Sequence, residues 1–307
     1  MKALAIDSAV TRFCIAVKNN DATISTSFNI GMKQSETLLV AIDELIKKAS
    51  ISVQELDYTV LCAGPGSFTG LRLAYSALKA LTLAHDIPLY AINTLSVYAQ
   101  PYKNVPFPVL SVIDAKKNKF YIAGFFNGKE IIPSGDYTIL QVLEKIANYF
   151  EENLNATVPP LSNERPSMQS VQGAVCSKNV SQSDTSSYFD KNVGGGTICT
   201  NQVLCCGPDA KLFSEKINML VSECGKDKQD GKSEQGEQKL EFGVPSSFEK
   251  NSASLSTIFF PINFSCITTD SLFTLAEEKI AKGEKGSEDY DGPIYLRASE
   301  AEENLAK

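Results

Sequence analysis

Histidine is almost missing from this chain of 307 residues: His85 stands alone, and there is no tryptophan. A lone histidine disfavours Ser-His-Asp and Cys-His catalysis, and its position suggests a plainer role. It closes an apolar helical pattern just before Asp86-Ile87-Pro88, where a partial cation suits a helix C-terminus and proline stops the chain from continuing. No pair among the eight cysteines (Cys14, Cys62, Cys176, Cys199, Cys205, Cys206, Cys224, Cys266) forms a CxxC. Most lie in apolar runs, where free cysteine behaves as a small hydrophobe, so reduced thiols are expected and a zinc site is not. No apolar run approaches the roughly 20 residues that span a bilayer. The start, Met1 to Asp7, reaches a carboxylate too soon for a signal peptide and reads as a first strand, which points to the cytoplasm. An excess of positive charge is lacking as well. Lys and Arg number 29 against 36 Asp and Glu, a net charge of −7 that repels a phosphate backbone, so any contact with RNA is expected to be indirect.

What the chain does have is an internal echo. Ile6, Asp7, Phe13, Ile15, Ala16, Asn20 and Ile24 recur 107 residues later as Ile113, Asp114, Phe120, Ile122, Ala123, Asn127 and Ile131. That is seven identities in 19 positions, where composition alone gives about one. Leu61-Cys62-Ala63-Gly64-Pro65 returns as Leu204-Cys205-Cys206-Gly207-Pro208 at offset 143, and Ile92-Asn93 as Ile262-Asn263 at offset 170. The growing offset calls for extra residues in the second half. Composition shifts where they are needed: about 152–202 is rich in Ser, Asn, Pro and Gly, and about 225–256 in Lys, Glu, Gln, Ser and Gly. Neither stretch carries enough apolar content to order itself, and both read as flexible surface insertions.

Each half then follows one plan. In the first, strands are expected within Leu4–Val17 and at Ala22–Phe28, a helix at Glu36–Ala49 with Ser35 as N-cap, and a buried strand at Tyr58–Cys62. A helix at Leu71–Ala84, a strand at Leu89–Ile92 and a short helix complete it. The second half repeats this with strands at Val109–Asp114, Phe120–Phe126, Lys129–Pro133, Val203–Cys206 and Thr257–Ile262, and helices near Thr138–Phe150, Ala210–Val221 and Ser271–Lys282. The expectation is an α/β chain with a duplicated βββαβαβα unit, the two-lobed plan of actin, heat-shock chaperone ATPases and sugar kinases (ASKHA). One half would cover 1–102 and the other 103–307.

In that plan a nucleotide sits between the halves, and the turn after each first strand needs small residues at the phosphates and a carboxylate for Mg²⁺. Here the turns are Asp7-Ser8-Ala9-Val10-Thr11 and Asp114-Ala115-Lys116-Lys117-Asn118. Asp7, Ser8 and Asp114 are the candidates for a degenerate nucleotide cleft, but neither turn contains glycine, and each Asp has a plain turn-forming role open to it. The glycines lie elsewhere, in Gly64-Pro65-Gly66-Ser67-Phe68-Thr69-Gly70-Leu71-Arg72, between a buried strand and a helix. With no Lys after the last Gly and three residues between Gly66 and Gly70, this is neither a Walker loop nor GxGxxG. It reads either as an anion-binding helix start or as a strand-to-helix turn that needs φ > 0 and close packing.

That stretch resembles the GPGSFTGxR signature of the TsaB (YeaZ-like) family. Leu4-Ala5-Ile6-Asp7-Ser8, Gln34-Ser35-Glu36-Thr37-Leu38-Leu39, Ile113-Asp114-Ala115 with Tyr121, and Pro293-Ile294-Tyr295-Leu296-Arg297 resemble it too. The resemblance implies a non-catalytic subunit for threonylcarbamoylation (t6A) of the adenosine beside the anticodon in tRNAs reading codons that begin with A. It implies a TsaD-like catalytic partner, which binds metal through an HxxxH motif that this chain lacks, and a TsaE-like ATPase. It implies no catalytic residue, metal or cofactor of the chain's own beyond vestigial nucleotide affinity.

The resemblance also implies a working surface. In the family the two first-half helices bundle with the equivalent pair of TsaD, or with a second copy in a homodimer. Leu38, Ile42, Tyr75, Leu78 and Thr82 are the expected partner-facing positions, against the reading that both helices only cover their own sheet. The rival readings are a small-molecule kinase that uses Asp7 and Asp114, which the glycine-free turns disfavour, and a metallopeptidase-like protein.

Overall fold

The computed structural model describes residues 1–29, 34–154, 201–226, 257–262, 268–288 and 291–297. The expected insertions, about 152–202 and 225–256, lie outside the described residues except at their edges. The chain forms two compact units: Met1–Gln100 with Cys266–Lys307, and Pro101–Ser265.

In the first unit, β1 (Lys2–Asp7), β2 (Phe13–Asn19), β3 (Ala22–Phe28), β4 (Tyr58–Gly64) and β5 (Leu89–Asn93) form one sheet in the order β3-β2-β1-β4-β5. β1, β4 and β5 run parallel, while β2 and β3 are antiparallel neighbours. Every residue of β4 is buried, as the apolar run Tyr58–Ala63 requires of a central parallel strand. β3 alternates between partly buried and exposed positions, the mark of an edge. The helices are α1 (Gln34–Lys48), α2 (Phe68–His85) and α3 (Thr94–Ala99). Leu4, Ile6, Phe13, Ile15, Val17 and Leu61 join one core with Leu38, Ile42, Leu45 and Ile46 of α1 and Ala74, Tyr75 and Leu78 of α2.

The second unit repeats the order with β6 (Val109–Asp114), β7 (Phe120–Phe126), β8 (Lys129–Tyr137), α4 (Ile139–Leu154), β9 (Asn201–Cys206), α5 (Ala210–Lys226) and β10 (Thr257–Pro261), in a sheet β10-β9-β6-β7-β8. Both sets of first strands stand 107 residues apart, residue for residue. α4 starts with a capping box: Gln141 N–H donates to Thr138 Oγ1 at 3.3 Å, and Thr138 N–H to Gln141 Oε1 at 2.9 Å. Phe120, Phe213 and Phe259 form successive edge-to-face pairs at the centre of this core. Among the described residues no helix is long and apolar enough to cross a membrane.

Several expectations shift. α1 begins at Gln34, which places Ser35 inside the helix and not at its cap. α2 begins three residues early, because Ser67 Oγ accepts Gly70 N–H and caps it, so Phe68, Thr69 and Gly70 are helical and not loop. The alignment at offset 170 is one residue out. Val60 pairs with Tyr90 and Val203 with Phe259, which makes the offset in register 169. The slip matters, since one residue exchanges the two faces of a strand. The central pairing also differs between units: Leu61 lies beside Ile6, but Leu204 lies beside Val109, four residues short of the equivalent Ile113.

The largest correction concerns α6 (Thr268–Ala281), assigned by sequence to the second half and found in the first unit. Its apolar side buries Leu272, Phe273 and Ala276. Polar ties fix its register: Thr268 Oγ1 donates to Asp7 Oδ2 at 2.6 Å, and Glu277 Oε1 accepts from Lys18 Nζ at 2.6 Å and Tyr58 Oη at 3.0 Å. Leu4 and Ile6 face the α1–α2 core while Asp7, of the alternate set along β1, meets α6. Amphipathic periodicity specifies that a helix must pack, but not on which sheet.

Candidate functional site

The glycine-rich stretch locks onto the first turn. Ser67 N–H donates to Ala9 O at 2.6 Å, and Ser8 Oγ donates to Gly70 O at 2.8 Å. A Cβ on Gly66 would stand 2.3 Å from Ala9 O, so only glycine allows this approach. Gly64, at φ +113°, donates its N–H to Thr94 Oγ1 at 3.1 Å. A Cβ there would stand 2.4 Å from Ile294 O. The Gly64-Pro65 peptide is cis. Of the two readings of this stretch, the geometry is that of a packed turn.

Asp7 and Ser8, expected at a nucleotide-facing turn, are both 1% exposed. Asp7 Oδ1 accepts Ala9 N–H at 3.0 Å and Oδ2 accepts Thr268 Oγ1, so both carboxylate oxygens are engaged within the unit. The sequence gives no hint of this, because Thr268 lies 261 residues away. Asp114 is engaged differently. Its Oδ1 accepts Lys116 N–H at 2.8 Å, its Oδ2 pairs with Lys116 Nζ at 2.6 Å, and its own N–H donates to Asp209 Oδ2 at 2.8 Å. Burial alone would raise the Asp114 carboxyl, but Lys116 and Lys216 hold it below its ordinary value. In place of glycines, Lys116, Lys117 and Asn118 themselves adopt φ of 61°, 53° and 59°.

Burial pushes the Asp7 carboxyl above its ordinary value of 3.8, and hydrogen bonds from Thr268, Ala9, Cys62 and Tyr98 offset only part of this. A carboxyl whose folded value is raised holds its proton more tightly in the folded state than in the unfolded chain. The contribution of Asp7 to first-unit stability therefore falls as pH climbs from 3.8 through the folded value, and is level beyond it. Asp7→Asn keeps an acceptor for Ala9 and removes the titration. The urea midpoint of the wild type is expected to decline relative to that of Asp7→Asn across that window. Parallel profiles would show that Asp7 titrates as in water.

The described cysteine side chains Cys14, Cys62, Cys205 and Cys206 are free and buried. Burial raises all four thiols, Cys14 to about 11 and Cys206 to about 12, which leaves them as thiols at neutral pH. Among the described residues no three His, Cys, Asp or Glu side chains gather as a metal-binding group. His85 is exposed at the end of α2, where Asp86 at φ 56° closes the helix.

The helix pair departs most from expectation. Leu38, Ile42, Tyr75 and Leu78, expected to face a partner, are buried in the first unit's own core, and Thr82 is partly buried. The apolar stripe of an amphipathic helix goes first to its own sheet, so the apolar residues that stay open are those that spill off it. Those are Leu39 and Val40 on α1, 66% and 59% exposed, and Leu83 on α2, 76% exposed. On α2 the exposed positions Phe68, Arg72, Ser76, Ala80 and Leu83 recur every three or four residues and form a single outward face.

At the start of that face the C-terminal segment comes in. Ser287 N–H donates to Leu89 O at 2.6 Å and Ile294 N–H to Ala63 O at 2.7 Å. Arg72 stacks its guanidinium 3.8 Å from the Phe68 ring centroid and donates from Nε to Tyr295 Oη at 2.9 Å. The Phe68 and Tyr295 rings are 5.2 Å apart. Beneath them, burial and the neighbouring Asp291 and Tyr295 push Tyr75 up to about 12. Sequence reasoning noted both segments as motifs but missed their contact, since no periodicity links residues 223 apart.

The model of the TsaD family, tRNA N6-adenosine threonylcarbamoyltransferase, matches residues 31–232, 202 of the 307. The tRNA threonylcarbamoyladenosine biosynthesis protein TsaB of Buchnera aphidicola subsp. Acyrthosiphon pisum is 30% identical over 155 residues, 49% of this chain and 69% of its own. The protein of the same name from Escherichia coli K12 is 29% identical over 141 residues, 45% of this chain and 61% of its own. The chain thus matches about two-thirds of the length of these relatives. Among solved structures, YeaZ from Pseudomonas aeruginosa is similar with a TM-score of 0.53 at 15% identity, covering 96% of this chain and 99% of that one, which is a likeness of fold. With the family model reaching across so much of its sequence, the chain belongs to the TsaD family, in its TsaB (YeaZ-like) branch.

Proposed function

We propose that this chain is a non-catalytic subunit in the formation of threonylcarbamoyladenosine beside the tRNA anticodon, binding and stabilising a TsaD-like catalytic subunit that works with a TsaE-like ATPase. The observation that carries the reading is the outward face of α2, Phe68-Arg72-Ser76-Ala80-Leu83, together with Leu39 and Val40 exposed on α1. Apolar side chains as open as Leu39 and Leu83, on helices whose other side already fills a core, are surface left for another protein. Ser76 and Ala80 in the middle of the face let a second helix come close. An interface of ordinary size, roughly 1,600 Å², would cover it. A homodimer through the same helices is the alternative arrangement when no TsaD-like protein is present. The family membership supports the reaction and the partner; the carboxylates Asp7 and Asp114, engaged as described, support a chain that leaves the chemistry to that partner.

Reconstitution tests this directly. Unmodified tRNA, threonine, bicarbonate, ATP, the enzyme that makes threonylcarbamoyl-AMP, and the TsaD-like and TsaE-like proteins are combined with and without this chain. Modification is expected to require it. Undiminished modification in its absence would remove the proposal.

A further inference from the structure

Arg72 is prepared for a contact that the described residues do not make. Its guanidinium carbon lies over the Phe68 ring, 3.8 Å from the centroid, and its Nε–H is used by Tyr295 Oη at 2.9 Å. The two terminal amino groups form no hydrogen bond or ion pair with any described residue, although the side chain is exposed in a chain with seven more acidic than basic groups. An exposed arginine normally moves freely and loses that freedom when it binds. This one already rests over the Phe68 ring and is tied at Nε, so part of that freedom is lost before a partner arrives. Around it, Phe68, Ile294 and Tyr295 are all exposed, so the cation sits in an apolar and aromatic collar. Arginine and tyrosine held this way are the residue types that dominate binding at protein interfaces.

Its position gives the second argument. Arg72 occupies the same outward face of α2 as Ser76, Ala80 and Leu83, one turn before the small residues. It is therefore continuous with the surface proposed above for a protein partner. We infer that Arg72, clamped between Phe68 and Tyr295, is an anchor that receives an Asp or Glu carboxylate of the docked partner subunit in a two-point, fork-to-fork contact. This rests on the partner-binding reading. A carboxylate is favoured over an RNA phosphate because the chain carries a net charge of −7 and the collar around Arg72 is apolar, which suits a protein surface and not a strand of phosphates. The inference also gives the C-terminal segment a task. Through Ile294 N–H on Ala63 O it holds Tyr295 in place, and Tyr295 sets the direction of the guanidinium.

The test is calorimetric titration of the full-length chain with its TsaD-like partner at 50 and 300 mM NaCl. Arg72→Gln is expected to weaken association at least tenfold and to lose most of its salt dependence. Arg72→Lys is expected to weaken it nearly as much, since an ammonium keeps the charge but lacks the fork. Tyr295→Phe, which keeps the ring and removes only the hydrogen bond to Nε, is expected to weaken it a fewfold. A purely structural role for Arg72 would lower the affinity of the glutamine variant while its salt dependence stayed that of the wild type, and that result would overturn the anchor. So would full affinity in Arg72→Gln, or a loss confined to tRNA binding by the assembled complex, which would assign the guanidinium to phosphate. If the wild-type chain itself fails to bind, the partner reading falls, and this inference falls with it.

Discussion

Leu83→Lys is expected to weaken association with the TsaD-like subunit by roughly 100-fold or more while the chain stays folded. Leu83 is the most exposed large apolar side chain described, so its replacement removes no contact that the first unit uses. A lysine in the last turn of α2 also suits the partial negative charge of a helix C-terminus, so stability is expected to change by no more than about 0.5 kcal/mol. Binding is different. A leucine covered by a partner contributes about 1.5–3 kcal/mol, and an ammonium stranded in that place adds the cost of its desolvation. With each 1.4 kcal/mol worth about a factor of ten, the two effects together reach the stated loss. Val40→Glu on α1 is expected to act the same way, because it replaces a β-branched residue with a better helix former and takes only exposed surface. Leu38→Ala is the contrasting control: Leu38 is fully buried, so that change is expected to lower the melting midpoint. If Leu83→Lys and Val40→Glu both bind the partner with wild-type affinity, the outward faces of α1 and α2 are not the docking surface.

Gly66→Ala carries the largest expected effect on the fold. The added methyl would stand 2.3 Å from Ala9 O and 2.8 Å from Ala9 Cβ, and neither is the mobile end of a long side chain. To make room, the first turn and the glycine-rich stretch must separate, which breaks the 2.6 Å bond from Ser67 N–H and pulls on the bond from Ser8 Oγ to Gly70 O. Loss of those two buried contacts, with the backbone shift, is expected to cost about 2–4 kcal/mol and to lower the melting midpoint by roughly 5–12 °C. A midpoint within a degree of the wild type would show that the turn yields easily and that the glycine has some other purpose. Because Ser67, the next residue, caps the start of α2, the same variant is also expected to lower partner affinity, through displacement of Phe68 and Arg72.

The duplication was open to sequence reading because strands record their burial in alternating and continuous apolar runs. An offset of 107 residues placed β6 and β7 on β1 and β2 without error. The last strand was less legible: Ile92-Asn93 and Ile262-Asn263 look alike, yet the sheet aligns Ile92 with Pro261, because hydrogen-bonded register and not letter identity decides the pairing. Much the same applies to the helix pair. Periodicity in α1 and α2 correctly marks Leu38, Ile42, Tyr75 and Leu78 as a stripe that must be covered. It does not say by what, and the covering is the first unit's own sheet. The residues that remain open are those that periodicity discounts as irregular, Leu39, Val40 and Leu83.

Local chemistry therefore settled the order of elements, the stop at His85-Asp86, and the family that the glycine-rich stretch identifies. These depend on neighbours within a few residues, and such interactions are written in the chain directly. Three things came only with the folded chain: the packing of α6 on the first unit, the burial of Asp7 under Thr268, and the clamp of Phe68 and Tyr295 on Arg72. Each joins residues more than 200 positions apart, and their meeting is decided by how sheets and helices stack, for which a linear pattern carries no signal.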